Sequence, residues 1–261
     1  MRNYYEADAE KEWRRLDEDR TEFAVSLRLI QRFLGSGNAS VIDIGGGPGR
    51  YAIALSELGH AVHLLDLAQA NVDLACARAA AAGVSLTAAE RCDARDLSHI
   101  PSGGFDAALI MGPLYHLLTE SDRSTAIAEA RRVVRPLGLV FASFVCRFAP
   151  FRLGANNAPE RLAEIQAWHD EVLRTGRILE GPQNAAMHLA HPDEIVPSMA
   201  KHSLQTLGLF GCQGIGANSG GRMNALQGRH WEAWVEFNLH FAAEPALLGA
   251  SSHLMYVGRA V

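Results

Sequence analysis

The sequence predicts an α/β fold in which helices cover both faces of a doubly wound, mostly parallel seven-stranded sheet. Two observations carry this expectation. Short, almost wholly apolar runs alternate with helix-like segments along residues 40–145, and strands buried on both faces need such runs because neither side meets water. The first run, SVIDI, leads into a helix through a turn with glycines at 45, 46, 47 and 49. An open α/β sheet presents its ligand crevice at such a turn, beyond the carboxyl ends of the strands.

Taken in order, Glu6 to Asp19 reads as a charged helix. After Thr21, the residues Phe23, Leu27, Ile30 and Leu34 recur at helical spacing until Gly35 and Gly37 end the pattern, so residues 1–37 form a helical N-terminal segment. The core, 38–146, follows as SVIDI, the glycine turn, a helix from about Gly49 to Leu58, AVHLLD, and an alanine-rich helix from about Gln69 to Ala82. It continues as VSLTAA, FDAALIM, a helix over about Asp122 to Val134, and LVFASFV. Beyond Cys146 the alternation breaks. Residues 147–191 hold one expected helix, Pro159 to Thr175, among irregular stretches with Gly154, Asn156, Asn157, Gly176, Gly181 and Pro182, and are expected to form a cap inserted after the fifth strand. Residues 192–261 complete the sheet with a helix after Pro192, a strand LGLFGCQGI, a helix around Trp231 to Phe241 and a last strand HLMYVGRA. No stretch reads as a linker, so one domain over 1–261 is expected.

Composition narrows the function. With 48% hydrophobic and 20% charged residues the chain is that of an ordinary globular protein. Lys and Arg number 24 against 29 Asp and Glu, a formal net charge of −5, which excludes a broad electrostatic grip on nucleic acid or an acidic membrane and leaves a small molecule or peptide as the expected partner. Cys76, Cys92, Cys146 and Cys212 lie far apart without a CxxC pair and read as reduced thiols of a cytoplasmic protein. The N-terminus mixes both charge signs without the apolar block of a signal peptide, and apolar stretches such as Leu137 to Val145 are too short to cross a bilayer.

The chemistry concentrates in VIDIGGGPGR. Glycine permits positive φ and close approach of a ligand to the backbone, so a nucleotide-type ligand is the natural occupant. A dinucleotide fingerprint GxGxxG would need glycine at position 50, where the chain has Arg50; the run is instead DxGxGxG, with Asp43, Gly45, Gly47 and Gly49. Asp66, at the end of AVHLLD, stands where an acidic residue accepts hydrogen bonds from ribose hydroxyls, with Leu67 beside it; helix capping is the competing and compatible role.

DIGGGPGR resembles the first motif of the class I S-adenosylmethionine-dependent methyltransferases, a Rossmann-like family, and the resemblance extends over roughly residues 38–145. It implies S-adenosyl-L-methionine as cofactor, its methionine moiety against Gly45, Gly46, Gly47 and Gly49 with Asp43 near the ammonium group. It further implies Asp93 at the adenine amine, with Asp96 as the neighbouring alternative, and the Ala94 backbone at the ring nitrogens. Met111 and Gly112 would lie beside the cofactor, and Pro113 to Leu118, including Tyr115, would floor the substrate site. GPLYHL resembles a segment of bacterial small-molecule and peptide-modifying members, which implies a natural-product acceptor, whereas the asparagine-proline-proline-tyrosine type motif of nucleic-acid and protein amino-methylating enzymes is absent. Leu137 stands where that family usually has glycine.

Methyl transfer from a sulfonium needs alignment first and a base only optionally. His116 is the candidate base, with a loop-holding hydrogen bond as its alternative role. His188 and His191 are candidates for acceptor contact; Pro192 keeps His191 out of a helix, so no metal site is expected there. Tyr4, Tyr5, Trp13 and Arg14 are too aromatic a set for a solvated segment, and the resemblance implies a helical lid that brings them toward substrate. The stripe Trp231, Trp234, Phe237 and Phe241 reads mainly as packing. Two other readings stay open: a nicotinamide-dependent oxidoreductase, and a non-catalytic module that binds S-adenosylhomocysteine.

Overall fold

The computed structural model describes residues 9–179, 186–217 and 220–261. Two helices, α1 (Ala9–Glu18) and α2 (Arg20–Leu34), precede the sheet. They are separate because Asp19 leaves helical geometry and caps α2, its carboxylate accepting from the Glu22 N–H. At the other end Gly35 takes φ +80°, and its N–H bonds the Gln31 carbonyl. The alternating core follows as β1 (Ser40–Ile44), α3 (Arg50–Glu57), β2 (Ala61–Asp66), α4 (Gln69–Ala81), β3 (Ala88–Arg91), β4 (Phe105–Ile110), α5 (Glu120–Val133) and β5 (Val134–Cys146). The cap contains α6 (Ala149–Asn157), α7 (Gln166–Thr175), β6 (Arg177–Ile178) and β7 (Met187–Ala190). The chain returns through α8 (Pro192–Ala200), β8 (Leu204–Gly211), α9 (Gly220–Asn224), α10 (Gly228–Phe241), α11 (Pro245–Leu248) and β9 (His253–Ala260).

The parallel strands run in the order β3-β2-β1-β4-β5. β9 pairs antiparallel with β5 and carries β8 on its far side. These are the seven expected strands, and the sheet is the doubly wound one the alternation demands. A strand buried on both faces sends alternate side chains to opposite layers. Thus Ile42, Ile44, Ala108 and Ile110 join one core with α5 and α8, while Val41, Ala107, Leu109 and Phe141 join another with α2, α3 and α10. Among the described residues no helix is long and apolar enough to cross a membrane.

Three segments differ from expectation. The third strand lies at 88–91 rather than 84–89, because β2 sets its register: His63 faces Ala88 and Asp66 faces Arg91, so apolar Val84 and Leu86 precede the ladder. The strand placed at 207–215 begins earlier, at Leu204, and ends at Gly211, since β9 offers it partners from Ala260 to Leu254. Among its described residues the cap holds two α-helices rather than one. Pro150 sits in the first turn of α6, where its missing N–H costs nothing, and Arg152 fastens that helix through its guanidinium to the Gly249 carbonyl and the Ser252 hydroxyl. Pro159–Arg161 forms a short 3-10 turn that delays α7 to Gln166. The β6–β7 hairpin adds two short strands, and β7 pairs with Val145 and Cys146 at the end of β5, beyond the reach of β4.

Leu137 has φ +63° and is 66% exposed, a left-handed residue with almost nothing to pack against. A side chain there costs about 1–2 kcal/mol over an unstrained residue, and the neighbouring Gly138 cannot relieve it, because a Cβ at Gly138 would lie 2.4 Å from Val134 Cγ1. Leu137→Gly is therefore expected to raise stability by about 0.5–1 kcal/mol after the extra unfolded-state entropy of glycine is subtracted. A lower urea midpoint than wild type at equal m-value would sink this account.

Candidate active site

The glycine turn is held from below by β2. The N–H groups of Gly45 and Gly46 both donate to the Leu65 carbonyl, at 2.7 and 3.0 Å. Gly45 (φ +70°) has no room for a side chain, since a Cβ would lie 2.3 Å from Pro113 Cγ; Gly47 (φ +58°) lines the cavity, where a Cβ would touch Glu12 Cγ at 3.9 Å. Asp66 completes the attachment. Its Oδ2 accepts from the Gly47 N–H at 2.9 Å, and its Oδ1 accepts from the Ala68 N–H at 2.9 Å and the Asn71 amide at 3.0 Å. Burial raises the Asp66 carboxyl, and the three donors oppose that shift.

A cavity of about 480 Å³ opens over this turn, within the size range of small-molecule sites. Its walls are Gly45 and Gly47 in the turn after β1, Asp66 and Leu67 at the end of β2, Asn71 of α4, Cys92 to Arg95 after β3, and Gly112, Pro113 and Tyr115 to Thr119 after β4, closed by Glu12 from α1. Sequence reasoning thus places Gly45, Gly47, Asp66, Leu67, Asp93, Ala94, Gly112, Tyr115 and His116 on one cavity. Asp93 rather than Asp96 faces it. The Asp93 carboxylate is gripped by the Arg95 backbone N–H and guanidinium at 2.7–3.1 Å, which holds its pKa below the usual range, and Arg95 also bonds Asp122.

Other expected residues stand elsewhere. Asp43 is fully buried and packs against Gly46, whose Cβ would lie 2.6 Å from its Oδ2, so it backs the turn instead of lining the cavity. Both of its carboxylate oxygens lack a hydrogen-bond partner, and burial, reinforced by the Asp66 charge, pushes it up to about 7. Gly49 packs against Ala75 of α4, and Met111 packs on the core beneath the sheet edge. Trp13 lies between the guanidinium groups of Arg50 and Arg78, 4.6 and 4.9 Å from its ring centre, and docks α1 outside the cavity wall. Arg14 is exposed. Tyr4 and Tyr5 lie outside the described residues. His191 caps α8, accepting from the Asp193 N–H through Nδ1, and His188 faces a separate cavity with Arg123 and Lys201. Neither histidine reaches the site.

Glu12, Asn71, Cys92, Arg95 and Asp122 are cavity residues that the sequence did not single out. Asn71 alone left a signal, one helical turn into α4 and five residues beyond Asp66. At the far end of the cavity His116 stacks edge-on against Tyr115, their ring centres 4.5 Å apart. Burial pushes His116 down to about 4 and the Tyr115 phenol above its ordinary value, so both are neutral near pH 7.

Residues 41–138 match the family model of a methyltransferase domain. No curated protein matches the chain in sequence. Solved structures with a similar fold include a SAM-dependent methyltransferase of Thermotoga maritima described as a possible histamine N-methyltransferase, at 15% identity over all of both chains with a TM-score of 0.61. Another, from Methanosarcina mazei, is 16% identical over 89% of this chain and 97% of its own, TM-score 0.60. The geranyl diphosphate C-methyltransferase of Streptomyces coelicolor, solved with Mg2+, geranyl diphosphate and S-adenosyl-L-homocysteine, is 14% identical over 90% of this chain and 77% of its own, TM-score 0.55. The chain therefore shares the Rossmann-like fold of these methyltransferases, and the segment that matches the methyltransferase-domain model carries the glycine turn and Asp66.

The buried Asp43 supplies a test of this geometry. Its raised pKa means that the folded state holds a proton which the unfolded state has released, so stability falls as pH rises from the ordinary aspartate range through about 7. Asp43→Asn removes that proton exchange. Urea unfolding across this range should show the variant gaining on wild type by on the order of 1 kcal/mol per pH unit. Parallel stability curves would mean that Asp43 is not desolvated as described.

Proposed function

We propose that the protein transfers a methyl group from S-adenosyl-L-methionine to an oxygen or nitrogen of a small-molecule or peptide-like natural-product acceptor. The observation that carries this reading is the cavity floored by a glycine turn and an acidic strand end, built on the segment that matches a methyltransferase domain. The cofactor is S-adenosyl-L-methionine, and the chemistry it supplies when bound is a methyl group already activated on a sulfonium. The residues present fit it. A carboxylate has about four lone-pair sites, and Asp66 uses three on Gly47, Ala68 and Asn71, leaving one on Oδ2 for a ribose hydroxyl. Gly47 brings side-chain-free backbone to the cavity wall, and the turn leads into the N-terminus of α3, where the helix dipole favours a carboxylate. Asp93, fixed by Arg95, and the Ala94 backbone would meet the adenine. A nicotinamide reading is disfavoured by Arg50, which occupies the position of the third fingerprint glycine and is committed to Asp17 at 2.8 Å and to Trp13.

At the acceptor end the neutral His116 is a weak base, and alignment is the main catalytic device. Calorimetric titration with S-adenosylmethionine and with NAD decides the cofactor: tight binding of NAD alone would reject the proposal. Asp66→Ala should weaken S-adenosylmethionine by about tenfold or more, because it strands the Gly47 and Asn71 donors along with the ribose. Gly47→Val should be worse, placing a branched side chain at φ +58° on the ligand side. Once an acceptor is found, turnover should stay flat from about pH 8 down to about pH 5, since a base of pKa about 4 stays deprotonated over that span. A fall centred near pH 6.5 that His116→Gln abolishes would restore His116 as an ordinary histidine base.

A further inference from the structure

Beneath the junction of α1 and α2, at the ligand edge of the sheet, three side chains from distant parts of the chain converge: Asp19 at the junction, Glu22 in the first turn of α2, and His253 at the start of β9. One donor atom from each lies within 4.8 Å of the other two. His253 Nδ1 is 3.1 Å from Glu22 Oε2, yet the imidazole is not oriented to donate a proton to it, and this fully buried nitrogen has no hydrogen-bond partner. With no proton on either, an imidazole nitrogen and a carboxylate oxygen this close repel, and a cation bound by both would relieve that; cis ligands at about 2.1–2.2 Å from one ion are themselves about 3 Å apart.

The surroundings are those of a ligand set held in place from behind. Gln213 donates its amide N–H to Asp19 Oδ2, and its Oε1 accepts the N–H groups of His253 and Ser252 at 2.8 and 3.0 Å, so one side chain orients two of the three residues. Arg15 orients the third, Nη1 to Glu22 Oε2 at 3.3 Å. Such outer contacts are what fix metal ligands in position. Charge points the same way. Arg15 also bonds Glu12 at 2.8 Å, so Glu12 and Glu22 share one guanidinium, and Asp19, held by Gln213, adds a third carboxyl group to the same place.

We propose that Asp19, Glu22 and His253 bind a divalent first-row transition-metal ion. One imidazole among two carboxylates suits Mn2+ or Zn2+ better than Mg2+. The Tyr115 ring, which lines the cavity, is 6.3 Å from the His253 ring, so the ion would stand one side chain from the acceptor end. The assignment does not depend on the methyl-transfer reading.

The test is calorimetric titration of the metal-stripped full chain with MnCl2, ZnCl2 and MgCl2. Saturable binding of Mn2+ or Zn2+ is expected, at least about tenfold weaker in Asp19→Asn and in His253→Gln and unchanged in His188→Gln, which removes a histidine outside the cluster. Asp19→Asn keeps an oxygen for Gln213, so if His253→Gln fails to fold by circular dichroism the asparagine variant decides alone. The same ion should raise the wild-type melting temperature and leave that of Asp19→Asn unmoved. No saturable Mn2+ or Zn2+ binding, binding undiminished by Asp19→Asn, or a preference for Mg2+ would each overturn the proposal.

Discussion

The site depends on one carboxylate. Asp66 ends β2 with both oxygens turned toward main-chain and amide donors, and through them it joins the glycine turn, the start of α4 and the Asn71 side chain. A carboxylate bonded this way is stronger glue than three neutral acceptors would be, because each bond is charge-assisted. It is also expensive to misplace, since a buried charge without its donors costs several kcal/mol. Burial and bonding act in opposite directions on the same group, and their balance explains why the ligand-facing lone pair of Asp66 sits in a rigid frame rather than on a mobile side chain. Asp43 provides the contrast. It has burial without donors, its charge is disfavoured, and its place behind Gly46 makes it part of the support rather than of the binding surface.

The N-terminal helix is attached to this frame by charge and by one aromatic ring. Arg50 reaches back from the start of α3 to Asp17, Arg78 reaches from α4 to Glu10, and Trp13 fills the space between the two guanidinium planes. Exposed ion pairs contribute little singly. Here they share a ring that removes apolar surface from water, and the result brings Glu12 into the cavity wall. Arg50 therefore has a structural reason for standing where a dinucleotide-binding loop would have glycine.

Much of the core was legible because local pattern and tertiary role coincide there. SVIDI, AVHLLD and HLMYVGRA are strands at their expected bounds, since each is largely apolar on both faces, and the first two end at a glycine turn or an acidic residue. Where a partner strand decides, pattern misleads: Val84 and Leu86 look like strand, but β2 has no edge left to pair with them. The cofactor side of the site was readable for the same reason as the strands, being fixed by sequence-local turns. The acceptor side was not. Glu12, Arg95 and Asp122 reach the cavity only through tertiary placement, and Trp13 belongs beside two arginines distant in sequence. The cap histidines show the converse: the expected cap would bring His188 and His191 of MHLAHP over the site, yet β7 sends one toward α5 and α8 while the other is consumed as a helix cap.

The chemistry at the acceptor end follows from what surrounds Tyr115. Its ring packs with Val145, Val172, Ile178 and Leu189, so the hairpin and α7 of the cap exclude water from that side of the cavity. The same exclusion drives His116 down to about 4 and suppresses ionisation of Tyr115. A dry wall thus removes the strong bases it might have housed. On the methyl-transfer reading, what such a wall can supply is alignment and exclusion of water, which would suit acceptors whose nucleophilic atom is already deprotonated or loses its proton easily.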